Sequence, residues 1–460
     1  MSIPEEPFSA TDDDVVAYLL DPSVALTESD AARMFANKFS GRLAYCHTEG
    51  VWREWSGSIW AKCELPTGFI RARQEIEEMA PKVKSGGQMK KLRYVQAMVT
   101  FTQNDERIAR RATDWDQDDW LLGTPTGTVD LKTGKTLVAK PSFNITKTTA
   151  VAPAAMSLCP AWRRFLLETT AGDEDLIRYL QQIAGYSLTG STREQSLFFI
   201  YGPGGNGKGV FLHTIANIMG DYATNAATQT FMATNWDRHT TDLAMLRGAR
   251  LVTASETPEG SKWDQQRVTS LTGGDKITAR FMHKNNFEFI PQFTLVIVGN
   301  HKPELRSVDD AIRRRMNMIP FEIRPKLKDA ELEDKLRPEW PGILRWMIEG
   351  CLDWQADGLV RPTTVSEMTD AYFYDENTLQ QWLDQECEVE PDNPHLCEKS
   401  SALFQSWVHF CKANEETPGS AKTFKPAMQK AGFRFKRTAG GKWFHGVSLR
   451  HIDTDRGAFG

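Results

Sequence analysis

The turn Gly202-Pro-Gly-Gly-Asn-Gly-Lys208 sets a lysine at the end of a glycine-rich stretch. It follows the apolar run Leu197-Phe-Phe-Ile-Tyr201 and precedes Val210, Phe211, Thr214, Ile215 and Ile218 at helical spacing. The order is strand, turn, helix, and the spacing is that of a G-x-x-x-x-G-K phosphate-binding loop. Glycines allow the backbone to turn its N–H groups inward, and the start of the next helix adds its positive dipole end. Gly202, Pro203, Gly204, Gly205, Asn206, Gly207, Lys208, Gly209 and Val210 are therefore the candidate ATP-binding residues, with Lys208 directed at the β- and γ-phosphates. Gly209 stands where a serine or threonine would offer a hydroxyl to Mg²⁺.

Three further groups follow in chain order. Ala249-Arg-Leu-Val-Thr-Ala-Ser-Glu256 is an apolar strand that ends in a carboxylate. Glu256 there can orient and deprotonate an attacking water or ligate Mg²⁺, which makes it the candidate metal ligand as well as a catalytic residue. Phe293-Thr-Leu-Val-Ile-Val-Gly-Asn300 is a second buried strand, and Asn300 at its end can hold the lytic water. Asp309-Asp-Ala-Ile-Arg-Arg-Arg-Met316 brings three arginines to the start of another apolar strand. Arginine stabilises charge on a transferring phosphoryl group, and in a ring it is supplied by the neighbouring subunit.

These residues need a scaffold, and residues 195–325 alternate strands with helices, the pattern of a parallel α/β sheet. Strands are expected at 196–201, 250–255, 293–299 and 318–322. Upstream, residues 1–150 read as an α+β region with a tryptophan-rich meander and a hairpin-like Thr128–Leu137, and 151–194 as a helical subdomain. Downstream, 326–390 reads as a helical region whose Glu388-Val-Glu-Pro-Asp-Asn-Pro394 boundary looks like a linker, and 391–460 as a small module.

A chain of 460 residues is too long for one ordinary domain. Its 40% hydrophobic and 25% charged content suits a soluble protein, and no apolar run reaches the roughly 18 residues that cross a bilayer. The seven cysteines form no C-x-x-C pair, which argues against a zinc ribbon and for a reducing cytoplasm. The net charge of −5 hides an asymmetry. Residues 1–32 hold eight acids and no Lys or Arg, whereas 421–457 hold nine Lys or Arg against Asp453 and Asp455. Such a basic excess is an electrostatic footprint for nucleic acid. In the C-terminal module, about 395–455, a helix (Leu403, Phe404, Trp407, Phe410), a second helix (Phe424 to Lys430) and a basic hairpin around Gly440-Gly441 resemble a winged helix. Lys436, Arg437 and Lys442 are its candidate phosphate contacts.

Taken in order, these motifs resemble superfamily III helicases, specifically the helicase half of phage and plasmid replication proteins related to poxvirus helicase-primases. Leu121-Leu-Gly-Thr-Pro-Thr-Gly-Thr-Val-Asp-Leu131, Gly185-Tyr-Ser-Leu-Thr-Gly190, Leu271-Thr-Gly-Gly-Asp-Lys-Ile-Thr-Ala-Arg280 and Asn300-His-Lys-Pro303 carry the likeness over roughly residues 35–455. The resemblance implies an AAA+-type P-loop motor domain, with Glu256 as the carboxylate of the second motif and Asn300 as the sensor. It implies Arg315 as the finger acting in trans and Arg314 as a second sensor or helper. A hairpin between Ile277 and Phe289 would project into a ring's pore, with Lys284 and His283 gripping single-stranded DNA. Gly209 departs from the usual pattern, although relatives with glycine there look common. The chain also has neither a plausible primase acid pair nor a zinc ribbon, so a stand-alone helicase is expected. The expected protein is an ATP- and Mg²⁺-dependent DNA helicase of phage or plasmid replication. It would form a hexameric ring on single-stranded and forked DNA, move 3′ to 5′ as the family usually does, and work beside a separate primase or polymerase in the cytoplasm. The alternative is an initiator or loader that uses ATP as an assembly switch and does not unwind.

Overall fold

A computed structural model describes residues 25–234, 240–282, 285–305, 308–325 and 329–450. Five parallel strands form its central sheet: β1 (Leu197–Tyr201), β2 (Ala223–Asn225), β3 (Leu251–Ser255), β4 (Thr294–Gly299) and β5 (Met316–Pro320). Their order across the sheet is β5-β1-β4-β3-β2. Parallel strands are covered on both faces, so their sequences read as nearly continuous apolar runs. Here alternate residues divide between two cores. Phe198, Ile200, Val296, Val298 and Ile319 face one, and Leu197, Phe199, Leu295, Ile297 and Met318 face the other. Four of the strands fall within two residues of the expected positions. The fifth, Ala223–Asn225, is too short and too polar to announce itself and exists by pairing with β3.

The first core holds the helix α1 (Lys208–Met219) against helices Pro160–Thr169, Glu174–Tyr186 and Trp340–Asp357. Trp162 stacks on Phe211 at 5.7 Å and meets Trp346 edge-on at the same separation. The segment expected as a separate helical subdomain therefore shares one core with α1, the helix that follows the glycine-rich loop. The hairpin Leu121–Thr124/Gly127–Asp130 joins it through Leu122 and Val129. Asp173 caps the Glu174–Tyr186 helix by accepting the Leu176 N–H, and the chain turns there through left-handed Ala171 and Gly172. Ahead of this body, helices Glu28–Phe39, Thr67–Met79 and Leu92–Gln103 enclose a separate core with Trp52 and Ile76.

Among the described residues, the stretch after the sheet holds four α-helices, Leu332–Leu336, Trp340–Asp357, Thr363–Asp375 and Thr378–Glu386. The C-terminal core reaches back to Trp382, Leu383 and Cys387, upstream of the expected boundary at 391. The expected linker opens as a strand instead, because Cys387–Val389 pairs antiparallel with Val447–Leu449. Among the described residues no helix is long and apolar enough to cross a membrane.

Candidate functional site

The phosphate-loop sequence folds into a tight turn between β1 and α1. Gly202 has φ 157°, and a Cβ there would lie 1.9 Å from the Phe321 carbonyl oxygen. Gly207 sits at φ 87° as the residue before the helix, and a Cβ would meet Phe165 and Thr169 at 2.7 Å. Both positions admit only glycine. Lys208 is 5% exposed, and its Nζ donates to Gly202 O at 2.6 Å, Asn206 Oδ1 at 2.9 Å and Pro203 O at 3.0 Å. Buried Asn206 in turn donates to Phe321 O, tying the loop to the end of β5. Burial holds the Lys208 ammonium below its ordinary pKa. The lysine thus rests on the carbonyls of its own loop, and an arriving polyphosphate would replace those acceptors with anionic oxygens. Among the described residues, no backbone carbonyl accepts from the N–H groups of Gly207, Lys208 or Gly209. They stand free at the helix start, a position that suits phosphate oxygens.

The strand register brings the other expected groups to the same edge. Tyr201 pairs with Gly299, and Ser255 with Val298, so the Lys208 loop, Asn300 and Glu256 leave the carboxyl ends of adjacent strands β1, β4 and β3. Two strand spacings separate β1 from β3, about 10 Å at the backbone, room for a terminal phosphate and a water. Glu256 and Asn300 are both exposed. Glu256 adopts φ 66°, rare for a residue with a side chain, while its N–H donates to Val298 O at 3.1 Å. Such a conformation costs about 1 kcal/mol or more and persists only where its surroundings impose it.

Those surroundings are specific. Thr257 Oγ1 donates to His301 O at 2.6 Å, Glu304 N to Ser261 O at 2.8 Å and Trp263 N to Glu304 O at 3.0 Å. The segments after β3 and β4 are thereby laced together. The second segment is also tied to the Thr363–Asp375 helix and the residue after it, since Tyr372 Oη donates to Pro303 O and Leu305 N donates to Glu376 Oε2 at 2.6 Å. Trp263 Nε1 donates to Tyr372 Oη at 3.1 Å. Lys302 lies over the Tyr201 ring at 4.7 Å. Tyr372, Glu376 and Thr257 escaped sequence reasoning because they belong to no phosphate motif, although Lys302 lies inside the quoted Asn300-His-Lys-Pro303.

The arginines take the opposite edge. Met316 pairs with Leu197 and Pro320 with Tyr201, so Arg314 and Arg315 precede β5 about five residues, or roughly 16 Å, from the Lys208 end. Neither is placed at its own chain's loop. Arg315 is 4% exposed, donating to Ala311 O at 2.8 Å and Gln195 Oε1 at 3.3 Å. Burial, then Arg314 beside it, lower its pKa, against the opposing pull of Asp275 and Asp309. Arg314 is exposed. Arg313 pairs with Asp370 at 3.0 Å.

Where a pore hairpin is expected, Ile277–Ala279 pairs antiparallel with Phe287–Phe289. His283 and Lys284 lie outside the described residues; Phe281, 42% exposed, and Met282, 68% exposed, precede them. In the C-terminal module the helices Ser400–Ala413 and Ala421–Lys430 precede the hairpin Arg434–Thr438/Gly441–His445. Lys436, Arg437 and Lys442 are all exposed on it. Arg437 pairs with Lys442, whereas Lys436 pairs with Trp443.

Two family models match the chain. One, described as "D5 N terminal like", covers residues 32–171, and the other, a family of unknown function (DUF5906), covers 200–315. Over 293 residues the chain is 24% identical to "Putative helicase L207/L206" of Acanthamoeba polyphaga mimivirus, spanning 56% of this chain and 29% of that protein. It is also 24% identical over 259 residues to "Putative helicase 022R" of Frog virus 3 (isolate Goorha), spanning 51% of this chain and 26% of that protein. The chain thus matches less than a third of the length of either relative. The fold is similar to that of the NrS-1 C-terminal region, with a TM-score of 0.51 and 9% identity over 93% of this chain and all of that one.

Proposed function

We propose that this chain is the motor of a ring-forming, ATP-driven DNA helicase of the superfamily III, AAA+ type, acting in phage or plasmid replication. The observation that carries this reading is the order of groups along one sheet edge: the Lys208 loop on β1, Asn300 on β4 and Glu256 on β3. Lys208 and the free N–H groups of the helix start suit the phosphates of ATP. For Mg²⁺ the fit is looser, because Gly209 has no hydroxyl, and no group of three or more His, Cys, Asp or Glu among the described residues could hold a metal. A metal arriving with the nucleotide, held by phosphate oxygens, water and Glu256, is compatible with what is present. Its chemistry would be charge neutralisation on the β- and γ-phosphates. Glu256 would accept the proton of the attacking water, and Asn300 would orient that water.

The arginines at the far edge fit a neighbour's nucleotide rather than their own, which calls for a ring, read here as a hexamer. Of the two, Arg314 is the guanidinium presented outward, and buried Arg315 holds the turn beneath it. The two matched viral proteins, each named as a helicase, support the helicase reading, and the basic C-terminal hairpin supports a nucleic-acid partner. Translocation would run 3′ to 5′ on single-stranded DNA. Strand displacement on a forked substrate, with and without ATP and Mg²⁺, tests the reading. Wild type should unwind, and Lys208→Ala should neither hydrolyse ATP nor unwind. ATP hydrolysis without displacement on either polarity of fork would instead identify an ATP-switched initiator or loader.

A further inference from the structure

The small C-terminal sheet has two unlike faces. Its strands lie in the order Cys397–Lys399, Gly441–His445, Arg434–Thr438, all antiparallel. Residues directly opposite share a face, and successive residues alternate between faces. One face carries Phe444 and Phe435, which pack into the module's core with Phe424. The other carries Lys399, Trp443, His445, Arg434 and Lys436, with no carboxylate among its paired residues. Trp443 stands in the middle, opposite Lys399 on one side and Lys436 on the other. Lys399 Nζ lies 5.7 Å from the Trp443 ring centroid. Lys399, Arg434 and Lys436 are exposed, and Trp443 is partly exposed.

We infer that this face is a stacking platform for single-stranded nucleic acid, with a base on Trp443 and phosphates on Lys399, Lys436 and Arg434. An indole between two lysines offers a π-face and two anion contacts at once, which is the combination an unpaired nucleotide presents in return. A duplex offers its phosphates but keeps its bases stacked inside, so it can use the cations and not the indole. The cationic rim also disfavours an apolar protein segment. This inference rests on the chain acting on DNA, and it divides the basic hairpin: Lys436 belongs to the platform, while Arg437 and Lys442 occupy the opposite face near the hairpin's tip.

The test uses the full chain without nucleotide, a fluorescein-labelled oligo-dT and a duplex of equal length. Trp443→Ala should weaken oligo-dT binding by about five- to 150-fold, the range for one lost base stack, and leave duplex binding within about twofold. Trp443→Phe should retain most of the oligo-dT affinity. The double variant Lys399→Ala/Lys436→Ala should reduce the salt slope by about 1.4, at roughly 0.7 per single-strand phosphate. Photocrosslinking of 5-iodouracil-substituted oligonucleotide to the unaltered protein should label the peptide containing Trp443, a readout immune to misfolding of any variant. Crosslinks confined to the Ala421–Lys430 helix, or Trp443→Ala binding oligo-dT as wild type does, would overturn the platform. DNA-free ATPase should be the same in Trp443→Ala and wild type, so a failed motor and a failed platform give different results.

Discussion

Replacing Arg314 and Arg315 one at a time should separate reaching from holding. Arg315 is 4% exposed and satisfies the Ala311 carbonyl at 2.8 Å and Gln195 Oε1 at 3.3 Å. Arg315→Ala empties a packed site and leaves those acceptors without their donor, a loss of about 2–4 kcal/mol. At about 2–4 °C per kcal/mol for a domain of this size, Tm should fall by roughly 4–16 °C. Arg314 is exposed, so Arg314→Ala should shift stability by no more than about 0.5 kcal/mol. Its ATPase turnover should instead fall on the order of 10³–10⁵-fold, the worth of an arginine finger. Differential scanning fluorimetry and a coupled ATPase assay on both variants read the two quantities. Mixing Arg314→Ala with Lys208→Ala subunits should then restore some turnover, because mixed interfaces pair an intact loop with an intact finger. An Arg314→Ala protein with normal turnover, beside a fully folded but inactive Arg315→Ala, would refute the assignment and return the finger to Arg315.

Four other outcomes are expected. Glu256→Gln should bind ATP with near-normal affinity in an equilibrium titration while turnover nearly vanishes; unchanged turnover would move the water-activating carboxylate elsewhere. Gly209→Ser should be tolerated, since a Cβ there approaches nothing nearer than His213 at 3.9 Å, and it should lower the Mg²⁺ concentration needed for half-maximal ATPase. Tyr372→Phe should cost about 1–3 kcal/mol by chemical denaturation, because the Pro303 carbonyl loses its donor and the buried Trp263 indole N–H loses its acceptor. Replacing Lys436, Arg437 and Lys442 together by Ala should flatten the salt dependence of fork binding by up to about 2.7 in log–log slope, while DNA-free ATPase stays unchanged.

Much of the sheet and its glycine loop was legible because their signals are local. A glycine turn after Leu197–Tyr201 and an amphipathic Val210–Ile218 can be read without neighbours, and strands 250–255 and 293–299 betray themselves as continuous apolar runs. Residue burial was not legible in the same way. Nothing in Arg313-Arg-Arg315 says which guanidinium turns inward; the Ala311 carbonyl is a local partner one turn back, but Gln195 reaches Arg315 only when β5 docks on β1. Glu388–Pro394 reads as a linker because it holds two prolines, yet Cys387–Val389 is a strand whose partner lies some sixty residues later at Val447–Leu449. The platform around Trp443 was hidden for a related reason: a hairpin's pairing can be guessed from its turn, but the third strand, Cys397–Lys399, arrives from before both helices.

The Thr363–Asp375 helix has a mechanical consequence. Thr369 Oγ1 accepts the Met318 N–H of β5 at 3.0 Å, Tyr372 holds Pro303, and Glu376, just past the helix end, holds Leu305 beyond β4. One rod therefore rests on β5 and on the segment beyond β4 that begins at Asn300, to which one end of it is pinned. Only Glu376 and Asn377 separate it from the Thr378–Glu386 helix, whose Trp382 is seated in the C-terminal core. A displacement of the Asn300–Leu305 segment pushes on the rod near that junction, with the β5 contact as fulcrum. In a chain that hydrolyses ATP as proposed, strokes of the nucleotide cycle would leave the sheet along this rod, and the C-terminal module would move with the sheet as an oar does in its rowlock rather than trail on a tether.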